Sequence, residues 1–206
     1  MPRPLPSSRT GSSRAPRRPL RPARPALFDP SDPAAFPGTG VPGGSAGGAT
    51  VVFTDGACLG NPGPGGWAWA VDRQHFGFGS EARTTNQRME LTAVLRATGE
   101  LGGPLLVVSD STYVVNCFRD RWWAGWRARG WRNSRGEPVA NRELWEALVS
   151  EVVDRRAGQI QFRWVKGHSG DAMNELVDRL ANDAARNQSA GSSAPADRQV
   201  LLPNPD

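Results

Sequence analysis

Thr54-Asp55-Gly56-Ala57-Cys58-Leu59-Gly60-Asn61-Pro62-Gly63-Pro64-Gly65-Gly66 is the stretch on which the reading of this chain turns. Three β-formers, Val51, Val52 and Phe53, run into the carboxylate of Asp55. A Gly/Pro-rich segment follows and reads as a loop, and after it comes an alternating strand, Trp67 to Val71. A strand that delivers one acid to a glycine-lined turn brings backbone close to an anionic ligand or a metal. A plain hairpin can also carry Asp-Gly in its turn, so the rest of the chain must decide between the two.

Working outward, Thr50–Thr54, Gly66–Asp72 and His75–Ser80 read as an antiparallel meander of three strands. Asn86 is placed as the N-cap of a helix through Met89, Leu91, Val94, Leu95 and Thr98 that stops at Gly102-Gly103. Leu105–Val108 is uniformly apolar, as a strand buried on both faces should be, and leads through Ser109-Asp110 into a helix from Ser111 to Phe118. A Trp/Arg-rich segment, 119–135, follows. Asn141 caps a helix with Leu144, Leu148 and Val152 on one stripe, ending near Gly158. Gln159–Trp164 reads as a strand, 165–170 as a loop, and Asp171–Arg186 as the last helix. This order predicts an α/β fold, a mixed sheet with helices on its faces.

The ends differ in kind. Residues 1–49 hold eleven prolines and seven arginines against two aspartates, with apolar residues too scattered for a core. They read as a disordered basic arm, and 188–206 as a disordered tail. The folded unit is then about 50–187. The arm carries the whole net charge of +5, so the remainder, with 18 basic and 18 acidic residues, is neutral. That neutral body is polarised: 119–135 has six arginines against Asp120 alone, a face suited to a polyanion rather than ordinary mixed surface. Two cysteines, Cys58 and Cys117, supply neither a disulfide framework nor metal-ligand spacing, which fits a reducing compartment. No apolar run has transmembrane length, and the arginines of the N-terminus precede no apolar secretory segment.

Four acids fall where strands or helices can aim them at one place. Asp55 is on the first strand; Asp110 is at the carboxyl end of the central parallel strand, where open α/β sheets bind ligands. Glu90 is near the start of its helix, where the positive helix end favours the ionised form. Asp178 is on the last helix, about 130° around from its apolar face, on one stripe with Asn174 and Asn182. Clustered carboxylates with few histidines suit Mg²⁺ or Mn²⁺ rather than zinc, and two such ions can clamp an in-line phosphoryl displacement. Any one of these acids could be merely solvated; four in such surroundings point to a site. His168, in a double-glycine loop after a strand, has the pKa range to move a proton to or from water or a leaving group. His75, on an edge strand, reads as structural.

Over residues 50–187 the chain resembles a type I ribonuclease H of the bacterial kind. The matching blocks are Thr54 to Gly66, Thr84-Thr-Asn-Gln-Arg-Met-Glu-Leu91, Ser109-Asp-Ser-Thr-Tyr113, and Trp164-Val-Lys-Gly-His-Ser-Gly170 followed by Asn174-Glu-(x)₂-Asp178, in family order. The resemblance implies a five-stranded mixed sheet and two-metal hydrolysis of the RNA strand in an RNA–DNA hybrid, leaving 5′-phosphate and 3′-hydroxyl ends. It implies that Asp55, Glu90, Asp110 and Asp178 hold two ions, Mg²⁺ or Mn²⁺, with Asp55 bridging them, and that His168 assists proton transfer and product release. Segment 119–135 matches the family's basic protrusion, whose Trp122 and Trp126 would line the DNA-strand channel. Arg83, Thr85 and Asn141 would form a DNA-phosphate pocket. Asn61, Asn86 and Gln87 would reach minor-groove edges, and Cys58 and Asn61 lie where backbone meets 2′-hydroxyls. Short polar groups and backbone can read the 2′-hydroxyls of an A-like minor groove, and basic and aromatic side chains give affinity without sequence preference. Trp131 and Trp123 read instead as packing for the protrusion. A monomer in the cytoplasm, with no membrane partner, is expected.

The chain departs from the family pattern at Thr112, where some members carry Gln, and in using arginine throughout the protrusion, Lys166 being the sole lysine. Two other readings compete: a strand-transfer nuclease of integrase type on the same architecture, which the glycine loop, Lys166-Gly167-His168 and the protrusion disfavour, and a non-catalytic hybrid-binding module, which a missing acid would favour and none is missing.

Overall fold

The computed structural model describes residues 48–193. Six strands form one mixed sheet: β1 (Thr50–Cys58), β2 (Gly63–Ala70), β3 (Phe76–Thr84), β4 (Leu105–Ser109), β5 (Ile160–Trp164) and β6 (Gly191–Ser193), in the spatial order β5-β4-β1-β2-β3-β6. β1, β2 and β3 are the antiparallel meander, with Asp55 opposite Ala68; β1–β4 and β4–β5 are parallel. The helices are α1 (Asn86–Glu100), α2 (Thr112–Arg119), α3 (Trp122–Ala128), α4 (Arg142–Val149) and α5 (Ala172–Asn187). A π-helical segment, Ser150–Arg155, extends α4 toward Gly158.

Two cores flank the sheet. On one face Val52, Trp69, Leu105 and Val107 meet Leu91 and Val94 of α1, Val114 of α2, and Trp145 and Leu148 of α4. On the other, Phe53, Ala57, Ala68, Leu106 and Val108 meet Val177 and Ala181 of α5. Alternate residues of β1 thus face opposite layers, as the period of a strand requires.

Three expectations are corrected. The glycine-rich stretch is largely strand, not loop: β1 continues through Asp55 to Cys58, and β2 begins at Gly63. These glycines serve close approach. A Cβ on Gly66 would lie 2.1 Å from the Ala181 carbonyl of α5, and one on Gly65 would lie 2.2 Å from Thr84 Cγ2. The cap of α1 is Thr85, not Asn86: Thr85 is extended and its Oγ1 accepts from Arg88 N at 3.3 Å, while Asn86 is already helical. The sheet has six strands rather than five, because Gly191–Ser193, within the expected tail, pairs antiparallel with Phe76–Phe78. The remainder of the expected arm and tail, 1–47 and 194–206, lies outside the described residues.

Candidate active site

The site starts from backbone crossings. A Cβ on Gly56 would stand 2.2 Å from Glu90 N, so only a glycine beside Asp55 lets the first turns of α1 lie on β1. That contact brings Glu90 to Asp55. On the far side, Gly66 admits α5 against β2, which carries Asp178 inward. Gly167 does the same for the loop after β5: a Cβ there would meet Asp110 Oδ2 at 2.5 Å. Gly56, Gly66 and Gly167 are therefore the points where three elements close around the acids.

Asp55 is 9% exposed and accepts the Gly56 N–H at 2.8 Å. Burial pushes its carboxyl up to about 8, reinforced by the charges of Asp110, Asp178 and Glu90 and opposed by the Gly56 N–H. Burial, then the Asp110 charge, also raises Glu90, against the lowering effect of its hydrogen bonds. Those bonds come from Ser111 Oγ at 2.5 Å and Asn86 Nδ2 at 2.8 Å. Asp178 accepts from Asn182 Nδ2 at 3.0 Å, one turn on along α5. Asp110 follows the last residue of β4, and its carbonyl accepts the Trp164 indole N–H at 3.1 Å.

The four acids feel one another electrostatically, yet among the described residues no three His, Cys, Asp or Glu side chains converge closely enough to grip an ion as they stand. Like charges held in a half-buried cleft repel, and a carboxyl kept near 8 by its surroundings is one that a bound cation would favour in its ionised form. The donor set is all oxygen, which fits hard divalent cations.

His168 is exposed, in the left-handed region at φ 52°, and its side chain makes no hydrogen bond among the described residues. It belongs to the loop whose Gly167 packs against Asp110. Its hydroxyl neighbour Ser169 closes the loop onto the Lys166 carbonyl at 2.6 Å.

The substrate-contact candidates divide. Thr85 and Asn141 begin α1 and α4, and Arg88 of α1 pairs with Glu143 in the first turn of α4, so the two helix starts lie together. Asn141 has left-handed backbone and makes no side-chain cap bond. Arg83, Gln87 and Asn61 are exposed around the same edge, and Asn61 Oδ1 accepts the Asn86 N–H at 3.4 Å. Cys58 is half-buried and its thiol donates to the Gly60 carbonyl at 2.7 Å, fastening the loop that presents Asn61. Trp122 is exposed, but Trp126 packs edge-on against buried Trp145 at 5.4 Å between ring centres. Trp123 and Trp131 pack against the core, as expected.

Sequence reasoning missed Ser111, Arg88 and Trp164. Ser111 caps α2 through its own hydroxyl while donating to Glu90, and Arg88 joins Glu81 of β3 at 3.3 Å as well as Glu143. Both lie inside the quoted sequence blocks, but nothing in the one-dimensional pattern tells which acid each would meet.

Known proteins resemble this chain in sequence and in fold. The RNase H family model matches residues 47–186. A ribonuclease H of Thermus thermophilus is 49% identical over 144 residues, covering 67% of this chain and 84% of that protein. One from Syntrophomonas wolfei is 44% identical over 142 residues, covering 66% and 95%. Among solved structures, LC9-RNase H1, described as a type 1 RNase H with the type 2 active-site motif, superposes with a TM-score of 0.56 at 33% identity, covering 69% of this chain and 75% of that one. A foamy viral protease-reverse transcriptase in complex with dsDNA shares the fold, with a TM-score of 0.58 at 23% identity over 68% and 96% of the two chains. The fold and the family match define a metal-dependent nuclease, an enzyme that hydrolyses the RNA strand of RNA–DNA hybrids. The chain belongs to the ribonuclease H family.

Proposed function

We propose that Asp55, Glu90, Asp110 and Asp178 are the residues through which this chain cleaves the RNA strand of a hybrid, and that they hold two Mg²⁺ ions, Mn²⁺ serving in their place. The observation that carries this is the buried Asp55 carboxyl, raised to about 8 amid three other acids from β4, α1 and α5. Bound there, divalent ions supply an activated water and charge stabilisation at the leaving 3′-oxygen. The chain's own groups do the rest. Ser111 and Asn86 orient Glu90; Asn182 orients Asp178; the Gly56 N–H orients Asp55. His168, exposed on a short loop beside Asp110, exchanges protons with solvent and helps the cleaved strand leave, giving 5′-phosphate and 3′-hydroxyl ends.

Substrate enters over the α1–α4 edge. The exposed Arg83, with the Thr85 and Asn141 helix starts, receives a DNA phosphate, where helix N-termini favour anions. Asn61, Asn86 and Gln87 reach the minor groove, and the backbone at Cys58 and Asn61 faces RNA 2′-hydroxyls. Trp122 offers a stacking face to the DNA strand; Trp126 contributes mainly by holding the protrusion on Trp145. The enzyme works as a monomer in the cytoplasm, and both cysteines are free thiols, Cys117 being pushed up to about 12 by burial. Among the described residues no helix is long and apolar enough to cross a membrane.

The test is cleavage of end-labelled RNA–DNA hybrid, single-stranded RNA and duplex DNA with and without Mg²⁺. Only the hybrid should be cut, only with metal, and Asp110→Asn should abolish cutting while hybrid binding survives. Equal cutting of duplex DNA would favour a strand-transfer nuclease; near-normal turnover by Asp110→Asn would overturn the quartet.

A further inference from the structure

The residues assigned to a DNA phosphate come from three separate elements. Arg83 is on β3, Thr85 caps α1, and Asn141 precedes α4. Two of them stand on irregular backbone. Arg83 lies where β3 slips register against β2, between Glu81 opposite Gly65 and Thr84 opposite Gly63. Such a slip breaks the ladder locally, so the sheet alone does not set the place of Arg83. Asn141 is left-handed at φ 55°, a conformation that a non-glycine residue keeps only where its surroundings hold it. Three groups on such supports grip one phosphate only if something fixes them against one another.

Arg88 reaches all three supports. Its Nε donates to Glu81 Oε2 at 3.3 Å, two residues before Arg83. Its Nη1 donates to Glu143 Oε1, two residues after Asn141. Its backbone N–H donates to Thr85 Oγ1 at 3.3 Å. Among the described residues these side-chain bonds are the one hydrogen bond joining α1 to β3 and the one joining α1 to α4. Two carboxylates thus occupy the Arg88 guanidinium, whereas Arg83 is exposed and makes no ion pair among the described residues. The charge of Arg83 is open to a phosphate; that of Arg88 is spent on the protein. We propose that Arg88 is a positioning residue for the phosphate pocket. Through Glu81 and Glu143 it braces β3 and the start of α4 on α1, so that Arg83, Thr85 and Asn141 meet one DNA phosphate. This rests on the assignment of those three residues to that phosphate. The brace needs arginine, because a planar fork spans two acids from one rigid group and a lysine ammonium is a point charge on a flexible stem. Ion pairs this exposed contribute little to stability, so the brace can be cut without unfolding the protein.

The experiment is steady-state cleavage, by the full chain with Mg²⁺, of a set of hybrids that each carry one neutral methylphosphonate at a different position of the DNA strand. For wild type, one position should raise KM about tenfold, as for loss of charge-assisted hydrogen bonds, and Arg83→Ala should be indifferent to that position. Arg88→Met should raise KM on the unmodified hybrid about tenfold with kcat within about twofold, the pattern of lost uniform binding. It should also lose most of the methylphosphonate penalty. Arg88→Lys, which keeps the charge without the fork, should recover only part. Glu81→Ala and Glu143→Ala, which each cut one tie, should each show part of the Arg88→Met effect. If Arg88→Met keeps the full methylphosphonate penalty, or lowers kcat and Tm together at unchanged KM, the brace is overturned and the pocket stands. If wild type has no sensitive position, or Arg83→Ala stays sensitive, the pocket falls and the proposal with it.

Discussion

Replacing Asp55 by Asn should inactivate the enzyme and at the same time stabilise the metal-free protein. The Asp55 carboxyl stands at about 8 in the fold against an ordinary 3.8. Between those values the folded state binds a proton that the unfolded chain has released, so stability falls as pH rises through that window and the whole loss is present above pH 8. At pH 7 about three units of it have been traversed. At about 1.4 kcal/mol per unit this sets a ceiling near 4 kcal/mol, and movement of the neighbouring acids lowers it to on the order of 2–4 kcal/mol. Asn keeps the Oδ1 that accepts the Gly56 N–H, adds donors toward the surrounding carboxylates, and carries no charge to desolvate. For a folded unit of this size the gain corresponds to roughly 10 °C in Tm. The assay is urea or thermal unfolding in EDTA from pH 4 to 8, wild type beside Asp55→Asn. The difference should be largest near pH 8 and vanish below about pH 4. Adding Mg²⁺ should stabilise wild type and leave the variant nearly unmoved, because ligands stabilise only the state that binds them. A variant less stable than wild type at pH 7, or a difference independent of pH, would refute the picture of a crowded, buried carboxyl.

His168→Ala should slow turnover roughly 10²-fold without abolishing it, as for one general acid/base, measured in single-turnover and steady-state cleavage; a loss as complete as that of Asp110→Asn would make His168 essential. Gly56→Ala should cost about 1–3 kcal/mol in urea unfolding through overpacking against Glu90 and reduce cleavage further than the stability loss explains; a fully active variant would show that α1 does not set the position of Glu90. A chain starting at Ala49 lacks the seven arginines of the arm and should bind hybrid with a shallower salt dependence, at unchanged saturated cleavage; superimposable salt slopes would mean the arm does not touch nucleic acid.

How much of this was legible beforehand depends on the kind of interaction. The helices and the apolar strand Leu105–Val108 announce themselves because one-face burial imposes a period on the sequence. Asp110 could be placed because a parallel strand ends there, and Glu90 because it opens a helix. What could not be read is whatever depends on a partner distant in sequence. Gly56, Gly65 and Gly66 look like a turn because glycine is permissive, but they sit in strands because Glu90, Thr84 and Ala181 press on them. Thr85 and Asn86 are both good capping residues; the cap is Thr85 because its backbone is extended while Asn86 is already helical. The three residues Gly191–Ser193 carry no strand pattern at all, and become a strand because β3 presents an open edge.

The same distinction explains why the acids were easier to find than their supports. A carboxylate at a strand end is conspicuous, since burying it costs free energy that only a partner or a cation offsets. The groups that aim it are ordinary: a serine that caps α2 and an asparagine one turn from Glu90 or Asp178. Each gives one hydrogen bond to an acid, and among the described residues no ion pair reaches that acid. Arginines are plentiful in this chain, yet Arg88 is paired with Glu81 and Glu143, and Arg127 with Asp154, outside the quartet. An arginine beside Asp55 would have stabilised the empty fold by lowering its pKa and would have competed with a cation for the same oxygens. Neutral supports hold the acids in place while leaving their charge to be met from solution, so the instability expected in EDTA and the proposed affinity for divalent metal have one physical source.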